Sequence, residues 1–586
     1  MKWQGAWFRT ASILLLFALS IDALTHERFP GNTFIHIHAL YLLGKGILLA
    51  GCVLLAGRLQ PVRLAYRQLA TIGARIAAIP AWTFVSVAAL LFLAATLLLS
   101  WILFHHLPHV TDSQSQYVGA KIIASGHLSL PSEPLRDFFD MQYMINNGRF
   151  LSIYPPGHQL LLAVGHLLHA PWLINPLLGT ATLVVIYLLG RELGDSATAR
   201  IAVLLTLSCS FMLYMSSEYM NHATTLFMCT LALLTYVRTL RKKQILSGIL
   251  CGASIGWAFI TRPQTAIPFA LPIMLHAIWM LSRDWRSLWR PALSCLAAFL
   301  AFAAFLLWYN YQTMGDPLTM TYMVGSPNVE RINANLTKIA SPELWQSYMD
   351  DVRRMLGQTS ELQERLFEWP TYSLVFVALL FIFRAGKQYS GLAIACCLTL
   401  ALSLFINPWV GEIFGPRYLY ETSGALIVLT ALALRRTPAL LRRVAGLHTH
   451  PAVLRGGLIA LLLVFVAVSI PTRQVALYRL YGHHYYEGNF DFYEGIVSTV
   501  QKPALVFLRA QKLEGAAPGN EWYYPEQRYV SSQWPVDTRA PVLFARDLRD
   551  RNPELLKQHP DRHVYIADST GVHPLQADAT TAPTAP

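Results

Sequence analysis

The clearest indication of the fold is the stretch ILSGILCGASIGWAFITRPQTAIPFALPIMLHAIWML at residues 245–281. Two apolar runs, 245–261 and 264–281, stand back to back around one charged residue, Arg262. A helix needs about 20 apolar residues to cross the hydrocarbon core of a bilayer, with a range of about 17–25. The pattern therefore predicts two transmembrane helices joined by a tight turn, with Arg262 at the membrane surface.

The same pattern recurs along the whole chain of 586 residues, of which 54% are hydrophobic and 13% are charged. Because soluble globular chains carry about 25% charged residues, this composition excludes an ordinary cytosolic enzyme, a disordered protein and a disulfide scaffold. We predict an all-α polytopic membrane protein with about 13 transmembrane helices. The predicted spans are 7–24, 34–57, 81–104, 172–190, 199–216, 222–240, 245–261, 264–281, 291–311, 370–384, 389–407, 417–434 and 455–471.

The net charge of +13 could indicate a nucleic-acid partner, but its distribution indicates membrane orientation instead. One set of connecting loops holds 22 Lys and Arg residues, opposed only by Glu192, Asp195 and Asp284. Such basic loops remain on the cytoplasmic side. The outer face then carries the loops 105–156 and 312–369 and the chain after residue 471, and we expect no nucleic-acid partner.

Two further stretches do not fit the pattern of spans. Residues 157–170 are apolar but short, which predicts a helix that lies on or dips into the outer face. The tail, 472–586, contains three strand-like runs, and Asn552 before Pro553 is a candidate helix N-cap. We predict a small α/β domain in this tail, on the outer face, with a disordered end at 579–586.

Asp112 is the first candidate for chemistry, since ionisable residues at membrane depth are costly and default to functional hypotheses. It opens the loop 105–156 in the segment HVTDSQSQYVGAKIIASG, whose spacing predicts an amphipathic helix on the membrane surface. An aspartate there could orient or deprotonate an acceptor hydroxyl. The alternative is a helix N-cap, and spacing alone favours the cap.

The segment SIYPPGH places Tyr154 and His158 on either side of Pro155 and Pro156, which fix an extended turn into the short helix. His158 could bind a phosphate or act as an acid. A single histidine near the start of a helix is more often structural, and this alternative stays open.

The segment SSEYMNH places Glu218, Asn221 and His222 between two spans on the outer side. Glu218 and His222 share a helix face if this segment is helical. A Glu and His at that spacing could also bind a metal, but two ligands are weak support, and we predict no metal. An interfacial polar turn is the slightly favoured interpretation.

Arginines provide the remaining candidates. Arg262 and, in the segment NPWVGEIFGPRYLYE, Arg417 lie on the outer side, where a guanidinium fork suits phosphate oxygens. Glu412 and Glu421 belong to the same late segment. The alternatives are arginines that snorkel to the interface, or an Arg417–Glu421 pair at four-residue spacing. The four charged residues predicted at one level of the outer face are Asp112, Glu218, Arg262 and Arg417.

In the order of these segments, residues 80–435 resemble a GT-C glycosyltransferase of the protein O-mannosyltransferase and lipid A aminoarabinose transferase type. The segments that carry the resemblance are DSQSQYVGAKIIASGHL from Asp112, YPPGHQLLLAVG from Tyr154, YLLGREL from Tyr187, SEYMNHATTLF from Ser217, GASIGWAFITRPQTAIPFALP from Gly252 and GPRYLYE from Gly415. The order and spacing of the segments carry it, rather than any single motif.

The resemblance implies a polyprenyl-phosphate sugar as donor, an acceptor hydroxyl on a glycan, lipid or protein, and transfer with inversion. It implies Asp112 as the catalytic residue and Arg262 and Arg417 as phosphate ligands. We add His158, Tyr154, Glu218, Asn221 and His222 as candidate substrate-binding residues, and expect no cofactor. The place of action would be the bacterial cytoplasmic membrane, with the site on the periplasmic side.

On this interpretation residues 1–80 add two transmembrane helices ahead of a glycosyltransferase domain at 81–471. The chain also departs from its relatives. Ser113 follows Asp112 where relatives often have a second acid, and Asn221 stands where they often have Asp. Two other functions stay open, namely a transporter or flippase of a lipid-linked sugar and a polymerase or ligase of lipid-linked glycans. The large outer loops and the lack of inverted repeats disfavour the transporter.

Overall fold

The computed structural model describes residues 51, 60–108, 110–132, 135–141, 143–324, 355, 357–359, 361–369, 373–405, 414–444, 451–482, 495–509, 511–512, 522–523, 540–568 and 571–575. The predicted spans 7–24 and 34–57 lie outside these residues, except for Gly51 of the second span. Glu412 and the predicted disordered end also lie outside them.

Helices dominate the described part of the chain. Its first eleven helices are Gln60–Ala78 (α1), Ala81–Ile102 (α2), Thr111–Ala124 (α3), Pro156–Leu167 (α4), Ile174–Leu193 (α5), Ser196–Leu207 (α6), Ser210–Met215 (α7), His222–Lys242 (α8), Ile245–Thr261 (α9), Pro263–Arg283 (α10) and Trp285–Met314 (α11). The later helices are Thr321–Val324 (α12), Val375–Ile382 (α13), Ser390–Leu402 (α14), Ser423–Val444 (α15), Pro451–Ser469 (α16), Val475–Gly482 (α17) and Asn552–Leu556 (α18).

Seven helical segments within the described residues are long and apolar enough to cross a membrane, which makes the chain a multi-pass membrane protein. These segments are Ala81–Ile102, Pro171–Leu193, His222–Lys242, Pro263–Arg283, Trp285–Met314, Arg417–Arg442 and Val453–Arg479. Each coincides with a predicted span. The orientation of these helices rests on the charge pattern and stays a prediction.

Four other predicted spans are helical but short. The span predicted at 199–216 is two helices, α6 and α7, that are separated at Ser208 and Cys209. Helix α9 has 17 residues, α14 has 13 and α13 has only 8. The total of 13 crossings therefore stays a prediction. The basic stretch after residue 58, expected as a loop, is helical in α1.

Helix α9, which ends at the turn of Arg262, packs closely against α11. Gly248, Gly252 and Gly256 recur every four residues along one face of α9. A Cβ atom at any of the three would collide with the neighbouring helix, at Pro291, Cys295 or Phe302. Small residues at this spacing let two helices in a membrane approach closely.

The predicted short helix at 157–170 is confirmed as α4, whose 12 residues are too few to cross a bilayer. It packs against α3, the predicted surface helix that begins at Thr111. Ala120 of α3, Leu162 and Ala163 of α4, and Tyr219 form one buried apolar cluster. This cluster fixes α3 against the segment between α7 and α8.

Within the described residues, three sheets lie outside the helical part, and the smallest is a pair of two-residue strands. Leu130–Pro131 (β1), Met144–Asn146 (β2) and Arg149–Ser152 (β3) form an antiparallel sheet in the order β1-β3-β2. Near the end of the chain, the strands are Ala504–Leu508 (β4), Gln511–Lys512 (β5), Trp522–Tyr523 (β6), Val542–Arg546 (β7), His563–Asp568 (β8) and Gly571–Pro574 (β9).

The C-terminal sheet has the order β7-β4-β8-β9, with β4 parallel to both β7 and β8. The three predicted strand-like runs are confirmed as β4, β7 and β8. Asn552 is the first residue of α18 rather than its N-cap, which is Arg551. The Asn552 side chain instead accepts a hydrogen bond from the Leu548 amide and donates one to Asp547 Oδ1. The extent of a domain at 472–586 stays a prediction.

Alternation along the strands divides the C-terminal sheet into two apolar faces. Leu505 and Phe507 point to one face, where they pack with Val118 and Ile122 of α3 and with Phe138. Residues of the opposite face form a separate cluster. The tail is therefore docked on the helix that begins beside Asp112.

Candidate active site

Asp112 lies in the first turn of α3, where the helix dipole favours a negative charge. The N-cap is Val110, which has an extended backbone. The Ser113 hydroxyl satisfies the Val110 amide as an acceptor at 3.2 Å. The expectation that Asp112 itself caps the helix is therefore wrong, and its carboxylate has other partners.

The Asp112 carboxylate has a different neighbour at each oxygen. Oδ1 accepts a 2.6 Å hydrogen bond from the Tyr154 hydroxyl, and Oδ2 lies 3.6 Å from Arg417 Nη2. The Asp112 side chain is 20% exposed, whereas that of Arg417 is 9% exposed. Asp112 is thus oriented from the protein side while part of its carboxylate is accessible.

Tyrosines surround this carboxylate. The Tyr154 ring has its centre 6.1 Å from that of Tyr143 and 6.0 Å from that of Tyr322. Burial and the nearby Asp112 charge raise the pKa of both Tyr143 and Tyr154 well above the usual value. Their phenols therefore remain protonated and can donate hydrogen bonds.

Arg262 and Arg417 meet at one aromatic ring. Their guanidinium carbons lie 5.6 and 5.4 Å from the centre of the Tyr418 ring. The two residues are 5% and 7% exposed. Arg262 Nη2 and Arg417 Nε and Nη1 are buried without a hydrogen-bond partner among the described residues. Two buried cations with unused donors are suited to bind an anion.

Asn221, between α7 and α8, and Glu421 both contact Arg262. Asn221 Oδ1 accepts a 3.0 Å hydrogen bond from Arg262 Nη1. Glu421 Oε1 lies 3.6 Å from Arg262 Nε and 2.9 Å from His222 Nδ1. Since Glu421 pairs with these residues and Arg417 approaches Asp112, the alternative of an Arg417–Glu421 pair is wrong.

Glu218 and His222 do not share a helix face, because α8 begins only at His222 and the preceding residues form a turn. Glu218 Oε1 accepts a 2.5 Å hydrogen bond from the Ser113 hydroxyl. His222 is bonded to Glu421 instead. The two side chains therefore have separate partners, and the structure gives no support to a metal held by this pair.

His158 lies at the start of α4 and is fully buried. Its Nε2 bonds to the Tyr219 carbonyl and its Nδ1 to the Thr224 hydroxyl, both at 2.8 Å. Burial lowers the pKa of His158 to about 4, so the ring is neutral at physiological pH. Because both ring nitrogens are hydrogen-bonded within the protein, His158 is not free to bind a phosphate. The structure supports the alternative interpretation, a structural histidine.

Three tyrosines of the site were not predicted from the sequence. Tyr418 follows Arg417 directly in the segment GPRYLYE, and this adjacency was the available signal. Tyr322 lies in the loop 312–369 with no motif around it, and Tyr143 lies between two short strands. Only the folded chain brings the rings of Tyr143 and Tyr322 to Tyr154, whose hydroxyl bonds to Asp112.

The solved structures that match this chain are distant in sequence. The oligosaccharyltransferase of Archaeoglobus fulgidus in its apo form is 15% identical, and the alignment covers 72% of this chain and 58% of that chain, with a TM-score of 0.43. ArnT from Cupriavidus metallidurans in the apo state is 14% identical, with 83% and 93% covered and a TM-score of 0.47. The same ArnT bound to undecaprenyl phosphate is 14% identical, with 84% and 94% covered and a TM-score of 0.45.

The sequence itself was compared with protein families and with curated proteins. None of the curated proteins matches it. Residues 155–309 match the sequence model of the family described as dolichyl-phosphate-mannose-protein mannosyltransferase. The matched segment contains His158, Glu218, Asn221, His222 and Arg262, but neither Asp112 nor Arg417. The match confirms the resemblance of this chain to GT-C glycosyltransferases of the protein O-mannosyltransferase type.

Proposed function

We propose that the chain is a membrane glycosyltransferase. It would move a sugar from a polyprenyl-phosphate donor to an acceptor hydroxyl on the outer face of the cytoplasmic membrane. The geometry that supports this function is the approach of Arg417 to Asp112, beside a second arginine at the Tyr418 ring. The family match over residues 155–309 supports a polyprenyl-phosphate sugar as the donor class.

The two arginines serve the donor phosphate. A polyprenyl phosphate that leaves a sugar gains negative charge on the oxygen of the broken bond. Arg262 Nη2 and Arg417 Nε and Nη1 are buried donors with no partner in the described residues. Donors already in place at the developing charge stabilise the transition state without reorganisation. A guanidinium also offers two parallel bonds to a phosphate, which a lysine does not.

Asp112 serves the acceptor. The acceptor hydroxyl oxygen attacks the anomeric carbon, and the bond from that carbon to the phosphate oxygen breaks. The proton of the hydroxyl passes to the Asp112 carboxylate, and the bonding electron pair leaves with the polyprenyl phosphate. Attack opposite the leaving group inverts the anomeric configuration. The Tyr154 hydrogen bond at Oδ1 holds the carboxylate in place while Oδ2 takes the proton.

A transfer assay in detergent tests the proposal. Purified protein is given a polyprenyl-phosphate sugar labelled in the sugar, together with an extract of cell-envelope glycans, lipids and proteins as acceptors. A glycosyltransferase moves the label to an acceptor and releases unlabelled polyprenyl phosphate in equal amount. A transporter or flippase would instead move the lipid across reconstituted vesicles without releasing polyprenyl phosphate, and that result would reject the proposal.

A further inference from the structure

The backbone of the turn between α7 and α8 is held by side chains from two other helices. Asn175 of α5 donates hydrogen bonds to the carbonyls of Glu218 and of Met220, the latter at 2.9 Å. His158 of α4 bonds to the carbonyl between them, that of Tyr219, at 2.8 Å. Three successive carbonyls of one buried turn are therefore fixed by two side chains.

A carbonyl oxygen only accepts, so the bond from His158 to Tyr219 requires the proton on Nε2. Its Nδ1 then accepts from the Thr224 hydroxyl at 2.8 Å. This assignment gives the histidine one tautomer and one orientation. The role of His158 is thus to hold the turn.

The same turn contacts the start of α3. The Ser113 hydroxyl lies 2.5 Å from Glu218 Oε1, and both side chains are at most 1% exposed. A hydroxyl has one proton to donate. Ser113 Oγ also lies 2.8 Å from the Val110 carbonyl, and the shorter contact of 2.5 Å assigns the proton to Glu218 Oε1. The Ser113 oxygen still accepts the Val110 amide at 3.2 Å.

A second contact fixes the segment that precedes α3. The Tyr219 hydroxyl donates a 2.6 Å hydrogen bond to the carbonyl of His106. The turn therefore holds the chain on both sides of Asp112, at His106 before it and at Ser113 after it. The direction in which the Asp112 side chain leaves the backbone follows from these contacts.

We propose that Ser113 and Glu218 are positioning residues for Asp112, and this inference rests on the function proposed above. Glu218 acts through Ser113 on the first turn of α3, and has no role in proton transfer. A misplacement of about 1 Å at a reacting group can lower the rate about 100-fold.

The test compares Ser113→Ala, Glu218→Leu, Glu218→Gln and the double variant Ser113→Ala/Glu218→Leu in the transfer assay. Ser113→Ala and Glu218→Leu should each lower kcat about 10- to 100-fold with unchanged binding of polyprenyl phosphate. Glu218→Gln keeps an acceptor for the serine proton and should recover most of the rate. The double variant should be no slower than the slower single variant, because both remove one contact.

Two controls separate this role from general destabilisation. Ser254→Ala removes an equally buried hydroxyl that bonds within α9, and it should leave kcat unchanged. Binding of polyprenyl phosphate reports whether each variant retains its fold. Loss of binding together with kcat would overturn the positioning role in favour of a purely structural one.

Additive losses in the double variant, or full activity in Ser113→Ala and Glu218→Leu, would also overturn the inference. Failure of the proposed function has a different signature. In that case wild-type protein transfers no label, whatever residues stand at positions 113 and 218.

Discussion

The Tyr154 hydroxyl donates a 2.6 Å hydrogen bond to Asp112 Oδ1, across 42 positions of sequence. The other oxygen of the carboxylate, Oδ2, faces Arg417 at 3.6 Å. That spacing is longer than a hydrogen bond, so Oδ2 retains the capacity to accept a proton from a substrate. The pair Tyr154–Asp112 defines which oxygen of the carboxylate is available.

Tyr154→Phe should therefore lower kcat about 10- to 100-fold, since a hydrogen bond to a charged group contributes about 1.5–3 kcal/mol. The ring contacts with Tyr143 and Tyr322 remain in this variant. Initial rates of label transfer measure the effect. Tyr187→Phe is the matched control, because the buried Tyr187 hydroxyl has no hydrogen-bond partner among the described residues. Equal rates for the two variants would show that the Tyr154 hydroxyl plays no part.

Replacement of either arginine by lysine should weaken donor binding. Arg262→Lys and Arg417→Lys keep the positive charge but lose the fork that can grip two phosphate oxygens. The KM for the donor should rise about 10-fold or more in each variant, whereas the KM for the acceptor should rise less. Arg200→Lys is the control, since Arg200 is a buried arginine that donates to the carbonyls of Ile76 and Ile79. If the KM for the donor were unchanged in both variants, a phosphate bound by Arg262 and Arg417 would be rejected.

The docking of the tail on α3 should depend on apolar packing rather than on charge. Phe507→Ala removes a fully buried ring that lies 6.2 Å from the ring of Phe138, and such truncations destabilise by about 3–5 kcal/mol. The tail should then be cleaved sooner in limited proteolysis. Asp137→Ala breaks an exposed pair with Arg551 and should leave the cleavage rate almost unchanged. If the tail of Asp137→Ala were cleaved rapidly and that of Phe507→Ala were not, charge rather than apolar packing would hold the tail on α3.

Lys121 should make stability depend on pH. Burial lowers the pKa of its ammonium group to about 8, against an unfolded value of about 10.4. Between these values the unfolded chain binds more protons than the folded chain, so stability should rise with pH from about 8 to about 10. Lys121→Met should remove this rise and raise the unfolding temperature at pH 7. The measurement is the unfolding temperature of both proteins at several pH values from about 7 to about 10. If the two proteins showed the same dependence on pH, Lys121 would not be its source.

Hydrophobic periodicity predicted the long helices because apolar runs of bilayer length leave the chain few other structures. It did not resolve the break at Ser208 and Cys209, where the local sequence stays apolar. The strands β4, β7 and β8 followed from short apolar runs. Their packing on Val118 and Ile122 did not, because contacts between segments about 400 residues apart leave no periodic signal.

For the site, charge at membrane level predicted Asp112, Arg262 and Arg417 as candidates, because charged side chains at that depth are energetically costly. The pairing of those charges depended on contacts between segments that are distant in sequence. Spacing favoured a cap at Asp112, whereas the Tyr154 contact is set by the turn through Pro155 and Pro156. Tyr322 carried no signal, because a tyrosine in a long loop is common.

The substitution Asp112→Asn is the decisive test of whether this carboxylate accepts the acceptor's proton. The substitution keeps the shape of the side chain and its hydrogen bond from Tyr154, but removes the ability to take a proton. General-base help contributes about 100- to 10,000-fold, so purified Asp112→Asn should transfer label at least about 100-fold more slowly than wild type. Binding of polyprenyl phosphate should persist, and Asp137→Asn, an exposed aspartate of the same loop, should be fully active. An Asp112→Asn protein that transfers sugar at the wild-type rate would contradict the account.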